Sequence, residues 1–230
     1  MLNRRADVLL VMLGTPVAKA KSKSSSSDET KARIIGATLQ TLKEEGIVGT
    51  SARAIARVGD FNQALIFYHF GSIDDVIVAA VTQMSHRRME NHRGKLEQAT
   101  SLPDLIRVAR LLHADDSSSD NMTVLTQALA GGLNNPDMAA KLYANLEPWS
   151  EMVADAIERV LADNPVATAL PHRQIADAIS ALFLGIELLD DLNPEVGHAE
   201  AMFASLQSLA ELLDDLLLAT PLLELFRQGS

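Results

Sequence analysis

The sequence predicts an all-α protein in two parts: an N-terminal three-helix helix-turn-helix and a C-terminal helical body. Three observations lead there. The chain is 47% hydrophobic but only 4% aromatic, with Ala and Leu dominant, and both residues lose little side-chain freedom in a helix. Apolar residues recur at helical rather than alternating spacing from about residue 30 onward. Two short segments joined by Gly59-Asp60 follow a longer helix, which is the minimum arrangement of a helix-turn-helix.

Residues 1–27 read as a flexible arm. Lys19, Lys21 and Lys23 precede the run Ser24–Ser27, a solvated composition. The apolar stretch Val8–Leu13 makes a poor signal peptide, because Gly14-Thr15-Pro16 interrupts it. Order is expected from Ser26 and Glu29, spaced as a capping box, through a helix over 29–45 that stops at Gly46. A second helix is predicted over 52–58, and a third over 63–69 behind Asn62, a natural N-cap. Ser72 and Asp75 open a fourth, running towards Asn91. Within this unit Ile55, Phe61 and Ile66 are expected to fill a small core, with Phe67 and Phe70 also inward.

Beyond residue 100 the pattern stays helical. Breaks are expected at 101–103, 115–120, 131–136, 164–165, Pro171 and 193–194. Two strongly apolar stripes follow. One holds Ile175, Ile179, Leu182, Phe183 and Ile186; the other holds Phe203, Leu206, Leu209, Leu213, Leu216 and Leu217. Paired between two copies, helices near 172–190 and 199–219 would make a four-helix bundle, so a homodimer is expected. The divisions are thus 1–27, 28–80 and 81–225.

Charge is distributed unevenly. The formal net charge is −10, but residues 1–75 hold 10 basic against 8 acidic side chains, and residues 76–230 hold 10 against 22. An acidic body with a mildly basic end suits a protein that meets DNA at that end only. Residues 28–75 alone hold five bases against seven acids, so the basic arm is expected to supply phosphate contacts. No run approaches the roughly 18 apolar residues of a membrane span. There is no cysteine, which removes disulfides, thiolate nucleophiles and Cys-ligated zinc. The six histidines lack metal-ligand spacing, and no phosphate loop or Ser/His/Asp arrangement appears. No enzyme activity, metal or cofactor is therefore expected, and the location is expected to be cytoplasmic.

The segment Ser51-Ala-Arg-Ala-Ile-Ala-Arg-Val-Gly-Asp-Phe-Asn-Gln-Ala-Leu-Ile-Phe-Tyr-His-Phe70 resembles the helix-turn-helix motif of the tetracycline-repressor (TetR) family, and the likeness covers about residues 29–80. Less specifically, residues 181–189 look like that family's dimerisation helices. The resemblance implies a dimeric regulator, most often a repressor released from operator DNA by a small molecule. It implies that Ser51, Tyr68 and His69 meet phosphates and that Arg53 reaches a base or a phosphate. Gln63, Ala64 and Leu65 would face the major groove, where Gln can read adenine and Leu a thymine methyl. Two positions depart from the family. Asp60 stands where the turn glycine is usual, and Ile73, before Asp74 and Asp75, stands where a lysine is usual. The second departure leaves open an alternative, a helical ligand-binding dimer with weakened or lost DNA binding. An enzyme on the same scaffold is a further rival that no residue constellation supports. His113, Met122, Tyr143, Trp149 and Phe183 are candidates to line an effector pocket, with plain core packing as the alternative for each.

Overall fold

The computed structural model describes the backbone of residues 18–163, 170–193 and 195–228, and side chains within 26–163, 170–193 and 195–216. Among the described residues the chain is helical without strands. The helices are α1 Ala18–Gly49, α2 Ala52–Gly59, α3 Ala64–Phe70, α4 Ile73–Glu97, α5 Leu102–Ser118, α6 Asn121–Gly132, α7 Pro136–Ala144, α8 Glu147–Val160, α9 His172–Leu192 and α10 His198–Gln228. No single helix among them is long and apolar enough to cross a membrane.

Two boundaries differ from expectation. The arm falls partly outside the described residues (1–17), but from Ala18 it is helix, continuous with α1. Ser26 and Glu29 therefore do not begin a helix: the Thr30 hydroxyl donates to the Ser26 carbonyl, four residues back along one. No Gly or Pro stands between Val17 and Ile35 to stop the helix spreading backward. A break at Asn145–Leu146 separates α7 from α8, and periodicity missed it. Its signals are the Asn145 side chain donating to the Lys141 carbonyl and Pro148 in the first turn of α8.

The stop at Gly46 is real. Gly46 adopts φ 66° and kinks α1, and Gln127 of α6 accepts a hydrogen bond from the Ile47 amide at 3.1 Å. The small N-terminal core joins Ile34 and Ala37 of α1, Ile55 of α2, Ile66 of α3 and Val76 of α4. A second core joins Leu42 of α1, Ile77 and Val81 of α4, Met122 and Leu125 of α6 and Leu142 of α7. Helices α1 and α4 thus belong to both parts, and a boundary at 80/81 falls inside α4.

The Gly59-Asp60 turn follows from two separate constraints. Asp60 holds the left-handed conformation, φ 50° and ψ 58°, which Asp tolerates better than most residues. Its carbonyl accepts from Arg33 at 3.0 Å. Gly59 is required for a different reason: a Cβ there would lie 2.1 Å from the Phe61 ring and 2.9 Å from the Ala37 Cβ. Gly59→Ala should therefore cost about 1–3 kcal/mol through overpacking. Asp60→Gly should be neutral or stabilising, since it relieves left-handed strain. Urea denaturation of both variants checks this, and equal effects would contradict the division of roles.

The two C-terminal stripes are each divided. Phe183, Ile186 and Phe203 turn inward and pack with Ile106 of α5. Ile179, Leu182, Leu209, Leu213 and Leu216 stay exposed. Leu217 lies outside the described side chains.

Candidate nucleic-acid interface and effector cavity

Each short helix is started by a side chain. The Ser51 hydroxyl accepts from the Ala54 amide at 3.2 Å and begins α2; its own proton stays available to an external acceptor. Asn62 accepts from the Ala64 amide at 2.9 Å and begins α3. This places Gln63 and Ala64, both exposed, at the N-terminal end of α3. Tyr68 is 81% exposed, with its ring edge-on to His69 at 4.9 Å. Arg53 is exposed on α2 and makes no ion pair among the described residues. Leu65 is half-buried and packs partly on the small core, so less of it faces outward than of its neighbours.

Phe67 corrects the expectation of an inward ring: it is 50% exposed. A seven-residue helix turns one face inward, and Ile66 and Phe70, four apart, occupy it. Phe67 lies off that face and joins the outer surface with Tyr68.

The acids at the start of α4 do not stand free. Asp75 accepts from Ser72 at 2.7 Å and from Lys141 of α7 at 2.6 Å, and these bonds hold its carboxyl below the usual range. Asp74 accepts from Asn135 at 2.7 Å. Both carboxylates are tied to the body. Glu45 is likewise paired with Arg57. Lys141 offsets Asp75 from outside residues 28–75, but Lys43 pairs outward with Asp120 and Glu45 with Arg57 inside the segment, so these pairs leave its charge deficit unchanged. Surface pairs of this kind add little stability, but they fix where the charge lies.

In the body a cavity of about 440 Å³ runs between the end of α4 and helices α5, α8, α9 and α10. Hydrophobic side chains line it throughout, among them Leu105, Ala109, Trp149, Ile157, Ile179 and Phe183. Its volume is in the range of small-molecule sites, roughly 300–1,000 Å³.

Of the five candidates, Trp149 and Phe183 line this cavity. Met122 sits in the core shared by α1, α4 and α6 and also lines a small pocket of about 40 Å³ beside Trp149 and Phe183. His113 lies outside it, against Phe183 and Phe203. There it pairs with buried Glu187, whose hydrogen bond raises the imidazole pKa. Tyr143 is 67% exposed on α7, too far round that helix to face inward.

Sequence reasoning missed a buried cluster beside the cavity. Arg88 donates through Nε to Asp116 at 2.6 Å, and His92 Nε2 meets the other carboxylate oxygen at 3.2 Å. Burial pushes the Asp116 carboxyl up, but His92 and Arg88 together bring it below its usual value. The available signal was Arg88 and His92 four apart on an otherwise apolar face of α4.

Residues 34–80 match the family model described as bacterial regulatory proteins, tetR family. The HTH-type transcriptional regulator UidR of Escherichia coli K12 is 23% identical over 185 residues, covering 78% of this chain and 92% of its own. Among solved structures, a TetR-family transcriptional regulator from Cytophaga hutchinsonii superposes with a TM-score of 0.66 at 16% identity, covering 81% of this chain and 95% of that one. The transcriptional regulator FadR from Bacillus subtilis, solved with stearoyl-CoA, gives 0.64 at 13% identity, covering 78% and 96%. The structural likenesses concern the fold. The helix-turn-helix at residues 52–70 lies inside the match over 34–80, so the N-terminal part of this chain is a tetR-family helix-turn-helix domain, on a chain similar over most of its length to transcriptional regulators.

Proposed function

We infer that this protein is a repressor that binds operator DNA as a homodimer and is released by an apolar small molecule held in the body. One observation carries the reading: an exposed α3 face belongs to the same molecule as a 440 Å³ cavity lined by hydrophobic side chains. In this reading residues 28–80 bind DNA, residues 81–225 bind the effector and the partner, and the protein works in the cytoplasm without catalysis. Ser51, Arg53, Tyr68 and His69 hold phosphates, and Gln63 and Ala64 meet base edges with part of Leu65. FadR in complex with stearoyl-CoA supports an apolar ligand for a fold of this shape.

Helices α4, α6 and α7 supply the route between the two functions. Gln127 holds the Ile47 amide, and Asn135 and Lys141 hold the first turn of α4. A ligand that shifts these helices shifts α3 with them. Release requires differential affinity of the ligand for two states, and operator DNA must weaken the ligand by the same factor.

The exposed Leu182, Leu188, Leu189, Leu212 and Leu216, which lie outside the cavity lining, support dimerisation through α9 and α10, since an apolar patch of this kind on one protomer favours a partner. Sedimentation at micromolar concentration should find a dimer, and a stable monomer would contradict it. The effector reading is tested by a gel shift with the gene's own upstream region and a panel of apolar compounds. A specific complex should form, and a cavity-filling compound should dissolve it. Ala109→Phe, which fills the cavity, should keep the complex but lose the response. No compound acting on the complex, or an unchanged response in Ala109→Phe, would overturn this reading.

A further inference from the structure

Trp149 and Phe183 line two spaces at once. On one side is the apolar cavity. On the other is a pocket of about 40 Å³ that also takes in Arg88, Asn145 and Ser180. It has room for a carboxylate-sized group, since about 10–15 Å³ of such space holds one water. Arg88 is 9% exposed, and its guanidinium carbon lies 4.2 Å from the Trp149 ring centre and 5.8 Å from that of Phe183. Its Nε is engaged by Asp116, but its Nη2 is buried without a hydrogen-bond partner. A buried donor left unpaired is costly, and a guanidinium recovers that cost best from a carboxylate or carbonyl oxygen.

We propose that the two spaces form one site for a fatty acyl compound, its chain in the apolar cavity and an acyl oxygen accepting from Arg88 Nη2. The site rests on the effector reading above and names its ligand class. The hydrophobic lining of the larger space offers a chain burial and no polar partner. The smaller space takes in Arg88 beside Trp149 and Phe183 and has no room for a second chain. A free acid and an acyl ester both carry the required oxygen, since Asp116 already balances the Arg88 charge.

Trp149 is the single tryptophan of the chain, so its fluorescence reports the site directly. The full-length protein is titrated with dodecanoic acid, methyl dodecanoate and dodecylamine. All three share an apolar chain, but the protonated amine cannot accept a hydrogen bond. The acid, the ester or both should shift Trp149 emission saturably, at least about tenfold more tightly than the amine. A tighter acid assigns the ligand as a free fatty acid; an ester that binds equally or better assigns an acyl ester or thioester. Arg88→Lys keeps a cation beside Asp116 but removes Nη2, and should weaken acyl binding about tenfold while leaving the amine unchanged. Amine binding as tight as the acid, or no saturable change with either acyl probe, would overturn the proposal on the wild-type protein alone. Release of DNA by a headless hydrocarbon would then leave the effector reading standing. Saturable acyl binding that left the DNA complex intact would overturn the effector reading and keep the site.

Discussion

Asp116→Ala is expected to destabilise the body by about 3–5 kcal/mol, the cost of leaving a buried charge without its partner. Asp116 is almost fully buried and is the only acid that Arg88 and His92 reach among the described residues. Removing it strands the Arg88 guanidinium between Trp149 and Phe183 with no countercharge. The double variant Arg88→Met, Asp116→Leu should recover most of the loss, because replacing both members of a buried pair with apolar groups is often neutral. Urea unfolding followed by circular dichroism measures both. A single variant within about 1 kcal/mol of wild type would mean that water reaches the pair and supports the charge. The carboxyl is held below its usual pKa, so its contribution is present above the unfolded carboxylate value and is lost as pH falls through the folded one. Acid unfolding of Arg88→Met, Asp116→Leu should accordingly be less steep than that of wild type.

Gln63→Ala should cost about 1–3 kcal/mol on the operator and relax the preference at one base pair per half-site. Gln63 is exposed at the N-terminal end of α3, where a recognition helix meets base edges. Non-specific affinity should hardly change, because phosphate contacts carry it. Tyr68→Phe supplies the contrast. It removes one exposed hydroxyl and should weaken all sequences about equally. Equal loss on specific and random DNA for Gln63→Ala would remove Gln63 from the reading residues.

The helix-turn-helix was legible because its signals are local. Ser51, Asn62 and Ser72 each cap the helix that follows, and short side chains with oxygen acceptors announce such starts in any context. Gly46 and Asp60 marked their turns because both residue types tolerate positive φ. The start of α1 was not legible, because a capping-box spacing also occurs inside a helix when nothing before it breaks the chain. Phe67 was misjudged because a seven-residue helix has too few positions to define its inner face by periodicity alone. The cavity was legible only in part. Trp149 and Phe183 follow from being large and apolar in the body, but His113 and Tyr143 are equally aromatic, and only tertiary packing places one beside Glu187 and the other on the surface. The Arg88–Asp116 pair joins residues 28 apart on two helices, and no spacing rule connects them. The ties from Asp74 and Asp75 to α7 are longer in sequence still, which is why these acids looked like a liability at the DNA face.

Sequence-specific DNA binding through α2 and α3 is open to a single titration. Fluorescence anisotropy measures the affinity of the full-length protein for its own upstream region and for a scrambled duplex of equal length, at one fixed salt concentration. A ratio of at least about 10³ in favour of the upstream region is expected, carried by a dimer on a near-palindromic site. Equal affinities for the two duplexes would contradict it.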